Sequence, residues 1–313
     1  AELERQVQML VNTSQQQQTQ ISQAQTDVTA VKTVQAQQPL AAQVPAGKQP
    51  IQVTTITPGA APGTTVKIGG FIKADFLATQ TSDGQLADDA TGRALYLPGQ
   101  TPVHGAGGSG KASDVDYNAH AKFSRFNLGI DNVSDKGNKS GAFFEMDFFG
   151  NSLGNQTATN TYGVTLRHAY MYWNNWLAGQ TWSNFMDAAA LPDAVDFVGP
   201  TDGTIFVRQA QLRYTKGPWS FSIENPQTTV TPYLTGARFN SGDNAAPDVT
   251  ARWLTKGDWG HFTVAGMVRQ FKVLEETDTG ASVSVSGKFN LGKSDDIRYA
   301  VNAGQGIGRY LAF

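Results

Sequence analysis

The chain has 313 residues, a formal charge of −2 and no cysteine. That excludes disulfide staples, Cys-ligated zinc and thiol catalysis, and it leaves no basic stripe for nucleic acid. No run of about 18 apolar residues occurs, so a transmembrane helix is excluded too.

Residues 1–38 are rich in Gln, Thr, Ser and Val and hold no Pro or Gly. Steps of four and three from Leu3 pass through Val7, Leu10, Ser14, Gln17, Ile21, Ala24, Val28, Val31 and Gln35. This is an a/d heptad with a polar middle, and it predicts a weak N-terminal coiled coil that needs an oligomer assembled elsewhere. A disordered Gln-rich tail is the alternative. Residues 39–63 carry Pro39, Pro45, Pro50, Pro58 and Pro62 and read as an extended linker. No signal peptide is visible. If the chain belongs in an outer membrane, one was removed and Ala1 lies near the mature start.

From 64 to 313 the pattern changes to period two. In Val66–Phe76, Val66, Ile68, Ile72, Ala74 and Phe76 share one parity, and Lys67, Lys73 and Asp75 the other. In Phe123–Asp131, Phe126, Leu128 and Ile130 oppose Arg125 and Asn127; in Ala142–Phe149, Phe144, Met146 and Phe148 oppose Glu145 and Asp147. The scheme repeats in Val164–Trp173, Trp176–Trp182, Ile205–Tyr214, Trp219–Glu224, Asp248–Leu254, His261–Phe271, Ser282–Leu291 and Asp296–Ala303. A strand with lipid on one side and water on the other must switch character every residue. The connections alternate as well. The first, Gly150–Gly163, Ser183–Thr204 and Asn225–Pro247 are long; Asn132–Ser140, Asn174–Asn175, Thr215–Pro218, Thr255–Gly257 and Gly292–Asp295 are short, with Glu275–Ala281 intermediate. Short periplasmic turns and long extracellular loops give that rhythm. The fold expected is all-β, a transmembrane antiparallel β-barrel with its N-terminus in the periplasm. Eleven such segments are an odd number, whereas bacterial barrels use even ones. The reading is therefore that C-terminal strands are missing.

Other motifs carry little. Gly105–Lys111 imitates a P-loop, but Ala112 stands where Ser or Thr should bind magnesium, and no strand–helix context surrounds it. Gly304–Gly308 is a Gly-rich strand end. His104, His120, His168 and His261 lack metal-ligand spacing, so no metal or other cofactor is expected. His168 falls on the outward parity. Glu145 and Asp147 share one strand face without an opposed partner across a cleft, which does not make a glycosidase pair; no enzyme is expected. Tyr170, Tyr172, Trp173 and Trp176, with Trp219, Trp253 and Trp259, sit beside short turns and predict an interfacial girdle.

The inward parity places Lys67, Lys73, Arg125, Arg167, Arg213, Arg252, Arg269, Lys288 and Arg298 against Asp75, Glu145, Asp147, Glu224 and Asp296. This wall is net basic although the chain is not, and such a lumen favours anions. Lys73, Arg125, Arg167, Arg213, Arg252, Arg269, Lys288 and Arg298 are its candidate solute-binding residues. The alternative is that these charges solvate the wall and pair with one another. The acids fall in loops: Asp83, Asp88 and Asp89 in the first, and Asp187, Asp193, Asp196 and Asp202 in the third. The third loop also holds Phe185, Met186, Leu191 and Phe197, which an external loop does not need. It is expected to fold inward as a constriction carrying Asp187, Asp193 and Asp196.

Three stretches add a resemblance: Leu166-Arg167-His168-Ala169-Tyr170, Leu177-Ala178-Gly179-Gln180-Thr181-Trp182-Ser183, and Arg208-Gln209-Ala210-Gln211-Leu212-Arg213-Tyr214. With the heptad and the Pro-rich linker, the chain resembles the DcaP-like porins of Gram-negative bacteria over essentially its whole length. The resemblance implies a sixteen-stranded homotrimeric barrel among outer-membrane lipid and lipopolysaccharide, a periplasmic coiled coil, and passive uptake of dicarboxylates. The arginine assignments rest on parity alone. A general or sugar-selective pore, with an aromatic slide and no anion bias, and a structural or adhesive surface protein remain as rivals.

Overall fold

The structure, a computed structural model, describes residues 52–54, 63–88, 90–105, 108–150, 162–197, 203–231 and 239–311. The coiled coil expected over 1–38 lies outside the described residues, as does most of the linker. All described residues belong to one unit, Val44–Phe313.

The strands are β1 (Gln52–Thr54), β2 (Thr64–Phe71), β3 (Asp75–Thr79), β4 (Asp116–His120), β5 (Arg125–Val133), β6 (Lys139–Gly150), β7 (Gly163–Trp173), β8 (Trp176–Trp182), β9 (Arg208–Lys216), β10 (Trp219–Glu224), β11 (Thr228–Val230), β12 (Phe239–Ser241), β13 (Asp248–Gly257), β14 (Gly260–Val273), β15 (Glu276–Leu291) and β16 (Asp295–Gly304). Twelve join in one sheet, ordered β1-β2-β5-β6-β7-β8-β9-β10-β13-β14-β15-β16, and every neighbouring pair is antiparallel. Its two outer strands, β1 and β16, do not pair with each other among the described residues. β3–β4 and β11–β12 form separate two-stranded sheets in the long connections.

Eleven of the twelve large-sheet strands coincide with the alternating segments. The addition is β1, which pairs Gln52 with Ile68 from inside the stretch read as linker. The first segment is also interrupted. β2 stops at Phe71 and β3 begins at Asp75, so Lys73 lies in the break rather than in the large sheet.

Burial is inverted relative to a water-soluble domain. One face of the sheet buries Glu145, Asp147, Gln209, Gln211, Ser220, Ser222, Thr250, Thr263, Ser284 and Ser286, while the other exposes Phe144, Leu212, Phe221, Ile223, Val249, Val268 and Val283. In water this would waste the hydrophobic effect; between lipid and an aqueous lumen it satisfies both solvents. Trp173, Trp176, Trp219 and Trp259 are exposed beside short turns. Tyr170 and Tyr172 correct the girdle: Tyr170 is buried on the polar face, and the Tyr172 hydroxyl donates to Asp131.

The tight turns follow residue chemistry. Asn174 takes φ 49° in the two-residue β7–β8 hairpin, a conformation Asn tolerates. The link expected at Glu275–Ala281 is shorter than its polarity suggested. β14 and β15 pair out to Val273 and Glu276, leaving only Leu274 and Glu275 in the turn.

Candidate functional site

The connection from β8 to β9 lies against the polar face of the sheet. Asn184 anchors it: its amide nitrogen donates to the Ser220 carbonyl at 3.1 Å and to Thr250 Oγ1 at 2.9 Å, and its backbone N–H donates to Glu224 Oε1 at 2.8 Å. Next to it Phe185, Met186 and Ala188 pack with Ile205, Ala265, Met267 and Tyr310, the first two at 1% and 0% exposure. Asp187 accepts from His261 Nε2 at 2.8 Å and from the Ser286 hydroxyl at 2.9 Å. Burial alone would raise its carboxyl. The His261 hydrogen bond and charge, the Ser286 hydroxyl and the nearby Arg252 outweigh that and hold it below the usual carboxylate range. Leu191 packs at the edge of the same cluster. Phe197 stacks on Phe123 at 4.3 Å between ring centres, where Leu95, Leu97 and Phe149 also meet.

The three loop acids therefore have partners. Asp193 pairs with Arg298 at 2.6 Å, and Asp196 Oδ1 accepts the Tyr96 backbone N–H at 3.2 Å.

The basic positions divide into two sets. Arg167 donates to Glu145 at 2.9 Å and to Asp147 at 2.8 Å, and Arg125 lies 3.5 Å from Glu145. Arg269 Nε is 3.4 Å from Asp248, Lys288 is 3.7 Å from Asp296, Arg298 is 2.9 Å from Asp296, and Lys73 pairs with Asp75. These charges are largely neutralised where they stand. Arg213 differs: its Nε donates to Gln211 Oε1 at 2.8 Å and its Nη2 to the Trp182 carbonyl at 2.5 Å. Arg252 donates to the Met186 carbonyl at 3.4 Å. Neither has a carboxylate partner among the described residues. Arg213 faces Ser222 across β9–β10, and Ser222 in turn faces Thr250, two residues from Arg252, so both stand at the root of the inward loop.

Sequence parity misplaced His168. A register shift between Glu145 and Met146 sets Glu145 opposite His168 and Met146 opposite Leu166, leaving Arg167 unopposed. The bulge turns Arg167 and His168 both toward the polar face. His168 Nδ1 meets Thr181 Oγ1 at 2.9 Å there and is buried, not outward. Parity also missed Arg208, whose guanidinium lies 4.6 Å over the Trp182 ring at the loop's other stem. Gln209 and Gln211 were visible only as polar residues in phase with Arg213, whereas Glu224 is one of the inward acids that parity identified.

Comparison with known proteins follows from this geometry. Residues 52–301 match the DcaP outer membrane protein family. No curated protein matches the chain. Among solved structures, the chain resembles the outer membrane channel DcaP of Acinetobacter baumannii, at 25% identity and TM-score 0.59, over 78% of this chain and 64% of that one. It thus spans less than two thirds of that channel's length. Lower likenesses are to the anion-selective porin from Comamonas acidovorans (14% identity, TM-score 0.36, 79% of this chain and 80% of that one) and to OmpT of Vibrio cholerae (8%, 0.33, 79% and 78%). Since the family match covers most of the sequence and the sheet buries its polar face, this chain belongs to the DcaP outer membrane protein family.

Proposed function

We propose that this protein is an outer-membrane porin through which small anionic solutes, dicarboxylates foremost, diffuse down their gradients. In this reading the twelve-stranded sheet is part of a closed barrel, of sixteen strands in the complete protein, assembled as a homotrimer. Its polar face lines the lumen, its apolar face meets lipid, and residues 1–38 form a periplasmic coiled coil, followed by a Pro-rich linker that runs as far as β1.

The observation that carries the anion preference is the pair Arg213 and Arg252, held only by neutral acceptors beside the inward loop. A guanidinium neutralised by a carboxylate offers a passing anion little. One held by amide and carbonyl oxygens keeps its full charge and a defined orientation. A dicarboxylate could exchange part of its hydration for these two groups and then leave, as permeation requires. Lys73, Arg125, Arg167, Arg269, Lys288 and Arg298 contribute shape and balanced charge. Asp187, Asp193 and Asp196 fasten the constriction rather than oppose the arginines across it. The apolar face turned to solvent and the fastened loop favour a channel over an enzyme.

The test is the reversal potential of the full-length protein in a planar bilayer under a KCl gradient, repeated with succinate. Chloride preference with succinate-dependent current noise is expected. Cation preference, or none, would leave a general diffusion pore; no conductance would favour the structural or adhesive reading.

A further inference from the structure

Residues after β16 turn back across the same polar face. Gln305 N–H donates to the Ala281 carbonyl at 3.0 Å, and Arg269 Nη1 donates to the Gly306 carbonyl at 3.2 Å. Tyr310 is 0% exposed, with its ring edge-on to Phe185 of the inward loop at 5.9 Å. Its hydroxyl donates to Asp248 Oδ2 at 2.8 Å and accepts from Gln209 Nε2 at 2.5 Å. The Phe206 N–H donates to the Tyr310 carbonyl at 2.9 Å, and Ile205 bridges Leu311. The returning arm of the inward loop thus gains a strand-like partner.

We infer that Gln305–Leu311 is a second inward element that completes the constriction, with Tyr310 as its positioning residue and Arg309 as a selecting charge. This deepens the porin reading and rests on it. Arg309 donates to Gln209 Oε1 and, at 3.4 Å, to the Asn225 carbonyl. Its nearest carboxylate, Asp248, is 3.8 Å away and is already shared with Arg269 at 3.4 Å and with the Tyr310 hydroxyl. Glu224, which accepts from Gln209 Nε2 at 2.8 Å, is a second carboxylate within electrostatic reach, so Arg213, Arg252, Arg269 and Arg309 stand against Glu224, Asp248 and Asp187 and one positive charge is left over across the set. Arg309 adds to Arg213 and Arg252 from the other side of Gln209 and Gln211. A permeating carboxylate would meet positive charge from both inward elements, and the Tyr310 hydrogen bonds fix the gap between them.

The absence of cysteine makes the test direct. In planar bilayers, Arg309→Cys in the full-length protein is expected to lose conductance stepwise when an anionic methanethiosulfonate reagent is added. Ile297→Cys, on the apolar face, is expected not to respond. Arg309→Gln should lower the chloride-over-potassium permeability ratio about two-fold, and Arg309→Lys should restore it. Tyr310→Phe should keep the ratio and raise open-channel noise. An unreactive thiol, or an unchanged ratio in Arg309→Gln, in channels that still prefer anions, overturns this assignment and leaves the porin reading standing. Channels without anion preference before any substitution overturn the reading itself.

Discussion

Arg213 and Arg252 differ from the other cations in what holds them, not in where parity puts them. Replacing both with Ala should cut the chloride-over-potassium ratio roughly two- to three-fold, because neither guanidinium is in a direct ion pair with a carboxylate among the described residues. Arg167→Ala should lower the ratio as well, since it leaves Glu145 and Asp147 without the guanidinium that balances them. Bi-ionic potentials on the two variants check this. Asp187 carries a second expectation. His261 and Ser286 touch it, and Arg252 and Tyr299 lie within electrostatic reach. Its carboxyl sits below the usual value, so its hold on the loop is complete above about pH 4 and is lost as pH falls through the lowered value. Open-channel noise should stay flat from neutral pH down to about 4 and rise below it; Asp187→Asn should show that noise at neutral pH. A rise beginning near pH 6 in the unsubstituted channel would contradict the assignment. Sequence spacing showed which residues face the polar side but not their partners, because pairing crosses strands. Arg298 with Asp193, for example, is 105 positions apart.

At the scale of elements, period two placed eleven strands and failed where the backbone breaks period two. The β6–β7 bulge shifts phase inside one strand, so any count run through it assigns His168 to lipid. The break after Phe71 moves Lys73 off the large sheet for the same reason. The extra strand β1 was hidden because neighbouring prolines dominate its composition. Away from such breaks the two faces should respond oppositely. Ile223 is exposed on the apolar face of β10 beside buried Ser222. It stands roughly 13 Å along the strand from the Trp219 rim, near mid-membrane depth. Ile223→Arg should cost about 2–4 kcal/mol there. Ser222→Ala gives up a hydrogen bond to Glu224 and should cost about 1 kcal/mol. Guanidinium unfolding in lipid vesicles measures both.

For the molecule as a whole, the sequence showed a wall and an inward loop from composition and phase alone, because lipid and water impose opposite demands on alternate residues. It did not show Tyr310 or Arg309 at the constriction, since nothing in Gly304–Tyr310 alternates. The fastening of that constriction has a consequence for assembly. Asn184 bonds Thr250 66 positions later, Asp187 bonds Ser286 99 later, Leu191 bonds Arg298 107 later, and Gln209 bonds Tyr310 101 later. Contacts so distant along the chain carry a high loop-closure cost, which the strands between them lower when they pair. The seat of this loop is therefore built mostly from the second half of the chain, and it is complete only when β13 to β16 are in place.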